Sequence, residues 1–148
     1  METTATSAPS AEMALNARVI DFTSKVNGRA YRLFVSIPTR RPTPPEGHAV
    51  VYLIDGNLHF GIAVDTARIQ ACWPDVIDPV VVGIGYPTDS VSTALDLRMI
   101  DLTTPISEER LQKGFIAKMP RPSEGWGGMD NYFRVIEEEV KPRVEAMV

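Results

Sequence analysis

Two apolar runs constrain this chain more than anything else in it. Val50-Val51-Tyr52-Leu53-Ile54 and Val80-Val81-Val82-Gly83-Ile84 are nearly continuous rather than alternating, the pattern of strands covered on both faces of a sheet. Between them, residues 57–72 carry Phe60, Ala63, Val64, Ala67 and Ala71 at spacings of three and four. That spacing predicts a helix with one apolar face. Strand, crossover helix and strand make a βαβ unit, in which the two strands pair in parallel through a right-handed crossover. The fold class is therefore α/β.

Upstream, Ala17, Val19 and Asp21 alternate with Arg18, Ile20 and Phe22, and Tyr31, Leu33, Val35 and Ile37 share one face of a second segment. Both read as half-buried strands. Asn27-Gly28 lies between them and tolerates the positive φ of a tight turn, so an antiparallel hairpin is expected at one edge of the sheet. Residues 38–47 interrupt every periodicity with four prolines and read as an exposed loop.

Downstream, residues 86–128 read as a long, mostly irregular excursion, with one short helix over residues 107–113 that starts at a serine and ends before Gly114. An excursion of that length is a candidate binding rim. A last helix is expected from Asp130, with Phe133, Ile136, Val140 and Val144 inward and Pro142 kinking or ending it early. Glu137 with Lys141, and Glu139 with Arg143, can pair one turn apart. The Glu137-Glu138-Glu139 run reads as a solvated face.

With 148 residues, 44% of them hydrophobic, the chain can form one domain with a core of its own. A net charge of −4 leaves no cationic field for nucleic-acid backbones. Cys72 is the single cysteine and His48 and His59 are the only histidines, which excludes an intrachain disulfide and a structural zinc site. Residues 1–16 have neither a basic start nor a long apolar run, so we expect a disordered N-terminus, a folded unit over residues 17–148 and a cytoplasmic location. No stretch is long and apolar enough for a membrane-spanning helix.

The chemistry-bearing stretch is Asp55-Gly56-Asn57, at the C-terminal end of the first apolar strand and the mouth of its helix. Ligands bind at that place in open α/β sheets. Unpaired N–H groups at a helix start can hold an anion or a developing oxyanion, and Gly56 lets the backbone approach closely. The alternative is that Asp-Gly only makes the turn while Asn57 caps the helix. Asp55, Asn57 and His59 at alternate positions superficially resemble a calcium loop, but Thr66 and Phe60 stand where such loops need an acid and a glycine. Gly83-Ile84-Gly85 has only the first two glycines of a dinucleotide fingerprint, with Thr88 at the third. No cofactor or metal is expected. Arg98 and Asp101 suggest either a mutual ion pair or a rim that grips an acidic substrate. Trp126, beside Gly127-Gly128, suggests an aromatic wall or a plug. None of the eight serines stands in Gly-x-Ser-x-Gly, so no nucleophile elbow is present.

Six pieces in order resemble the siderophore (enterochelin-type) esterases, a branch of the α/β-hydrolase superfamily. They are Asn27-Gly28-Arg29 with Tyr31-Arg32; residues 51–57; residues 80–87; Arg98 with Asp101-Leu102-Thr103 and Pro105; Gly127-Gly128; and Phe133 with residues 136–142. Thr104 before Pro105 and Met99-Ile100 depart from the pattern.

The resemblance implies the N-terminal part of an α/β-hydrolase fold, with a mixed, mostly parallel sheet and an antiparallel N-terminal hairpin. It implies truncation before the strand that bears the nucleophilic serine, with acid and histidine also lying beyond Val148. On that reading Gly56 and Asn57 are oxyanion-hole candidates, and Asp55, Arg98 and Trp126 are substrate-binding candidates. The chain alone is expected to be inactive. The strand over residues 50–54 becomes an unpaired edge, open to self-association. The alternative from another class is a non-catalytic α/β module completed by strand addition from another chain or by self-association.

Overall fold

The computed structural model describes residues 17–148, so the expectation for residues 1–16 lies outside the described residues. A four-stranded sheet has the order β1-β2-β4-β3. β1 (Ala17–Thr23) and β2 (Ala30–Ser36) form the expected antiparallel hairpin, in register from Ala17 opposite Ser36 to Thr23 opposite Ala30. Gly28, at φ 73°, takes the positive-φ position of the connection. β2 pairs antiparallel with β4 (Val80–Gly85), and β4 pairs in parallel with β3 (Val50–Leu53). The helix between them, α1 (Gly56–Gln70), makes the crossover.

Two apolar layers sandwich the sheet. On one face Phe60 and Val64 of α1 pack with Val81, Phe34 and Leu53. On the other, Tyr31, Leu33, Val35, Val80, Val82 and Ile84 meet the C-terminal helices. β4 is buried along its whole length. β3 is not covered as its composition suggests, because it is a sheet edge among the described residues and Val51 remains 45% exposed. The proline-rich loop is tied down by Arg41, whose guanidinium donates to the carbonyls of Ala71 (2.7 Å), Trp73 (2.8 Å) and Val76 (2.9 Å) just past the end of α1. A cation there complements the negative end of the helix.

The stretch after β4 corrects the sequence reading, since it contains an eleven-residue helix, α2 (Val91–Asp101). Ser90 caps it by accepting from the Thr93 N–H. Its periodicity is masked because the inward positions Ala94, Ile100 and Asp101 include a fully buried acid, while Val91 and Leu95 face outward. The short helix expected next is present as α3 (Glu108–Leu111), capped by Ser107, and a 3₁₀ turn follows over Ile116–Lys118.

The last helix runs as α4 (Met129–Val135), a π-helical turn (Ile136–Val140) and α5 (Lys141–Glu145). Its inner face is Tyr132, Val135, Val140 and Val144, and Phe133 is turned outward at 57% exposed. The π turn inserts one residue and shifts the phase between the two halves, which a uniform 3.6 period cannot anticipate. That wide turn directly precedes Pro142, and the helix carries on through the proline to Glu145. Glu137 pairs with Lys141 as expected. Glu139 does not pair with Arg143 through its carboxylate and is not solvated. It is buried and accepts from the Lys25 N–H in the β1–β2 connection at 2.8 Å, while Arg143 donates to its backbone carbonyl.

Candidate active-site corner

The C-terminal ends of the two parallel strands meet the start of α1, and close backbone contact fixes the corner there. A Cβ on Gly56 would lie 2.7 Å from the Gly83 carbonyl carbon, and one on Gly85 would lie 2.2 Å from the Asn57 Oδ1. The glycines of β4 thus let α1 press its first turn onto the strand, which gives Gly83-Ile84-Gly85 a packing role without any nucleotide. Asp55 precedes the helix at φ 57°, the one described non-glycine residue with positive φ.

Asn57 is not the helix cap. Its side chain reaches across to the loop after β4, where Oδ1 accepts from the Tyr86 N–H at 2.8 Å and Nδ2 donates to the carbonyls of Tyr86 (2.8 Å) and Thr88 (3.1 Å). The cap residue is Asp55, whose carbonyl accepts from the N–H groups of Leu58 and His59. Its carboxylate instead accepts from the Arg98 Nε at 2.8 Å. The first two N–H groups of α1, those of Gly56 and Asn57, have no partner within the helix, as in any helix start. Asp55, Asn57, Leu58, Tyr86, Ala94, Leu95 and Arg98 line a small cleft at this corner. Arg98 keeps 38% of its side chain exposed beside the nearly buried Asp55, so it can still meet a ligand.

The expected pairing of Arg98 with Asp101 is therefore replaced by two separate pairs. Asp101, fully buried, accepts from Arg29, from the Tyr31 hydroxyl at 2.9 Å and from the Tyr86 hydroxyl at 2.9 Å. Burial pushes its carboxyl above the ordinary range, against the pull of Arg29 and the two hydroxyls. Burial also raises the Tyr31, Tyr86 and Tyr132 phenols, with the Asp101 charge adding to each. Tyr31 stands 5.8 Å from Tyr86 and 5.9 Å from Tyr132 between ring centroids. This hub holds the C-terminal end of α2 against β2 and the end of β4, and so places Arg98 over Asp55. Sequence reasoning missed it. The one available signal was an acid, Asp101, in step with Ala94 and Leu97 on a helical wheel.

Four of the five candidate residues, Asp55, Gly56, Asn57 and Arg98, come together at this corner. Trp126 lies elsewhere, in a hollow lined by Pro105, Ile106, Glu108, Leu111, Arg121, Pro122 and Gly125. Its indole N–H is buried without a partner. Gly127 packs against Pro105, and the Gly128 N–H donates to the Ile100 carbonyl at 2.8 Å, so this segment closes the end of α2. His59 is exposed on α1. Among the described residues no group of three His, Cys, Asp or Glu could hold a metal ion.

No family model matches the chain. Individual proteins do. The ferri-bacillibactin esterase BesA of Bacillus subtilis is 38% identical over 131 residues, covering 82% of this chain and 41% of that protein. The siderophore enterobactin esterase of Emericella nidulans is 40% identical over 100 residues, covering 66% of this chain and 32% of the relative. Among solved structures, the BES protein from Bacillus cereus superposes on 99% of this chain and 52% of its own, with a TM-score of 0.74 and 28% identity. The chain spans about two-fifths of the length of the first of these relatives and about half of the solved structure. With an α/β-hydrolase-type mixed sheet and this set of relatives, the chain belongs to the siderophore-esterase family and represents part of its fold.

Proposed function

We propose that this chain supplies the substrate-gripping and oxyanion-stabilising part of a serine ester hydrolase for siderophore-type esters. The nucleophile, acid and histidine are contributed by residues outside it. The observation that supports this reading is the Asp55–Arg98 pair beside the first N–H groups of α1, at the C-terminal ends of parallel strands. In such a reaction an activated serine attacks the ester carbonyl and the carbonyl oxygen becomes an oxyanion. Backbone N–H groups of Gly56 and Asn57 point charge-stabilising dipoles at such an oxygen, and the fixed strand-to-helix corner keeps them oriented before reaction. Arg98, oriented by Asp55, offers a cation to an acidic or carbonyl oxygen of the substrate.

No Gly-x-Ser-x-Gly occurs in the sequence, so the chain alone binds but does not turn over. We place it in the cytoplasm, where Cys72 stays an exposed free thiol. No helix among the described residues is long and apolar enough to cross a membrane. The test is a fluorescence titration of the purified chain with enterobactin, alongside a chromogenic-ester assay. We expect saturable binding that Arg98→Ala weakens about tenfold or more, the loss of one charge-assisted hydrogen bond, with no turnover. Absence of binding by the wild type overturns the gripping role, and turnover like that of complete esterases overturns the missing nucleophile.

A further inference from the structure

The Asn27-Gly28 pair in the β1–β2 connection is tied into the buried hub. The connection belongs to the β1 side of the sheet, away from β3. Gly28 is exposed, a Cβ on it would meet no described atom within 4 Å, and it has no side chain to keep its backbone nitrogen from the side chain of Asn27. Hydrogen bonds hold both groups. The Gly28 N–H donates to the Ser24 carbonyl at 2.9 Å. Asn27 Nδ2 donates to the Tyr31 hydroxyl at 2.8 Å, and its Oδ1 accepts from the Arg29 N–H at 3.0 Å. The amide is thus the outermost member of the hub. The Tyr31 hydroxyl commits its single proton to Asp101 at 2.9 Å, so toward Asn27 it can only accept.

We propose that Asn27 is a self-modification site, latched by its bond to Tyr31, and that its conversion to a carboxylate breaks the hub. When the turn opens, the Gly28 nitrogen attacks the Asn27 Cγ to form a cyclic imide. The Cγ–Nδ2 bond breaks, and ammonia leaves with the proton from the Gly28 nitrogen. Water then opens the ring, at one carbonyl to give aspartate and at the other to give isoaspartate, whose main chain runs through the former side chain. Neither product fits back. A carboxylate cannot donate to Tyr31, so either two acceptors face each other or the hydroxyl turns and Asp101 loses a donor. Isoaspartate also lengthens the main chain just before Arg29, which pairs with Asp101 and Glu124. The change is irreversible and frees the C-terminal end of α2 from the hairpin. This inference does not rest on the esterase reading.

The test is peptide mass mapping of the purified chain during incubation at mildly alkaline pH, folded and in urea. Conversion at Asn27 should run about tenfold or more slower in the folded chain, because the turn must open first. Tyr31→Phe removes the latch and should speed conversion in the folded chain about threefold or more, the effect of losing one hydrogen bond. Tyr86→Phe removes the other hydroxyl on Asp101, leaves the Asn27 bond in place and should keep the wild-type rate. Asn27→Asp supplies one product directly. Its melting temperature should fall below that of the wild type, and the drop should be smaller in a Tyr31→Phe background, where no hydroxyl faces the new carboxylate. Equal rates in the folded chain and in urea overturn the latch. So does Tyr31→Phe converting no faster than Tyr86→Phe. An Asn27→Asp chain as stable as the wild type overturns the effect on the hub. The urea comparison and the Asn27→Asp melt need no Tyr31 variant, so they decide the matter even where Tyr31→Phe does not fold.

Discussion

The two edges of the sheet are built on opposite plans. β1 is fastened: Asp21 accepts from Arg32 of β2 at 2.7 and 2.8 Å, Arg143 of α5 lies 4.3 Å over the Phe22 ring, and Glu139 holds the turn that follows. Arg29, at the far end of that turn, is anchored to buried Asp101. β3 carries no charged residue, and Tyr52 is its one polar side chain. Part of the difference lies in the strands themselves, since β1 contributes Arg18 and Asp21 where β3 has no charge, and the rest lies in what the surrounding helices supply. The C-terminal helix packs on both sides of the sheet face it covers, against Phe22 through Arg143 and against Val50 and Tyr52, so the two edges differ in their polar ties and not in whether a helix reaches them.

The strongest way to break this contrast is to cut the fastened side at its buried ion pair. Asp101→Ala leaves Arg29, at 12% side-chain exposure, without its buried partner, the Tyr86 hydroxyl without its acceptor, and the Tyr31 hydroxyl with only the Asn27 amide, which donates to it at 2.8 Å. Urea denaturation should show a loss of about 3 kcal/mol or more, the usual cost of removing one member of a buried pair. A loss under about 1 kcal/mol would show that the hub is not what holds α2 to the sheet.

A smaller effect is expected at Glu139. Burial raises its carboxyl, but hydrogen bonds from the Ser24 side chain and the Lys25 N–H, together with nearby Arg143, outweigh that and hold it below the ordinary value of 4.5. A carboxyl with a depressed folded-state value adds stability above its unfolded value, and that stability is lost as pH falls through the folded one. Melting temperature should therefore drop as pH is lowered below about 4.5, the ordinary value. Glu139→Gln should lose about 1 kcal/mol at neutral pH and show a shallower acid slope. An unchanged slope would assign the acid sensitivity to Asp21, whose carboxyl Arg32 also lowers.

The smallest effect sharpens the comparison from the other side. Hydrogen exchange at the N–H groups of Val50 and Tyr52, which face away from β4, should be faster than in β2, which is paired on both sides. Exchange as slow as in β2 would show that these groups are covered.

Much of this architecture was legible in the sequence. The hairpin, the crossover helix and the parallel pairing follow from period and turn chemistry, whereas the edge position of residues 50–54 is implied by the resemblance alone. What could not be read has a common physical cause. α2 was hidden because buried Asp101 occupies an inward position that periodicity reserves for an apolar side chain. The C-terminal helix was one residue out of phase in its first half because a π turn resets the period, so Phe133 was placed inward and Tyr132 was not. A run of acids gives no hint that one of them, Glu139, reaches a turn more than a hundred residues away instead of facing solvent. At the candidate site, Asp55, Gly56, Asn57 and Arg98 were each legible, but their mutual arrangement was not. The partner of Arg98 is 43 residues distant in the chain, while Asp101 stands three residues along.

The left-handed backbone at Asp55 sets a conflict of interest within a single residue. A side chain in that conformation costs about 1–2 kcal/mol that glycine would not incur, so folding alone favours glycine at position 55. The carboxylate that orients Arg98 cannot exist without that side chain. The position therefore trades conformational comfort for a fixed pair with Arg98, and replacement by glycine would ease the backbone while releasing that guanidinium.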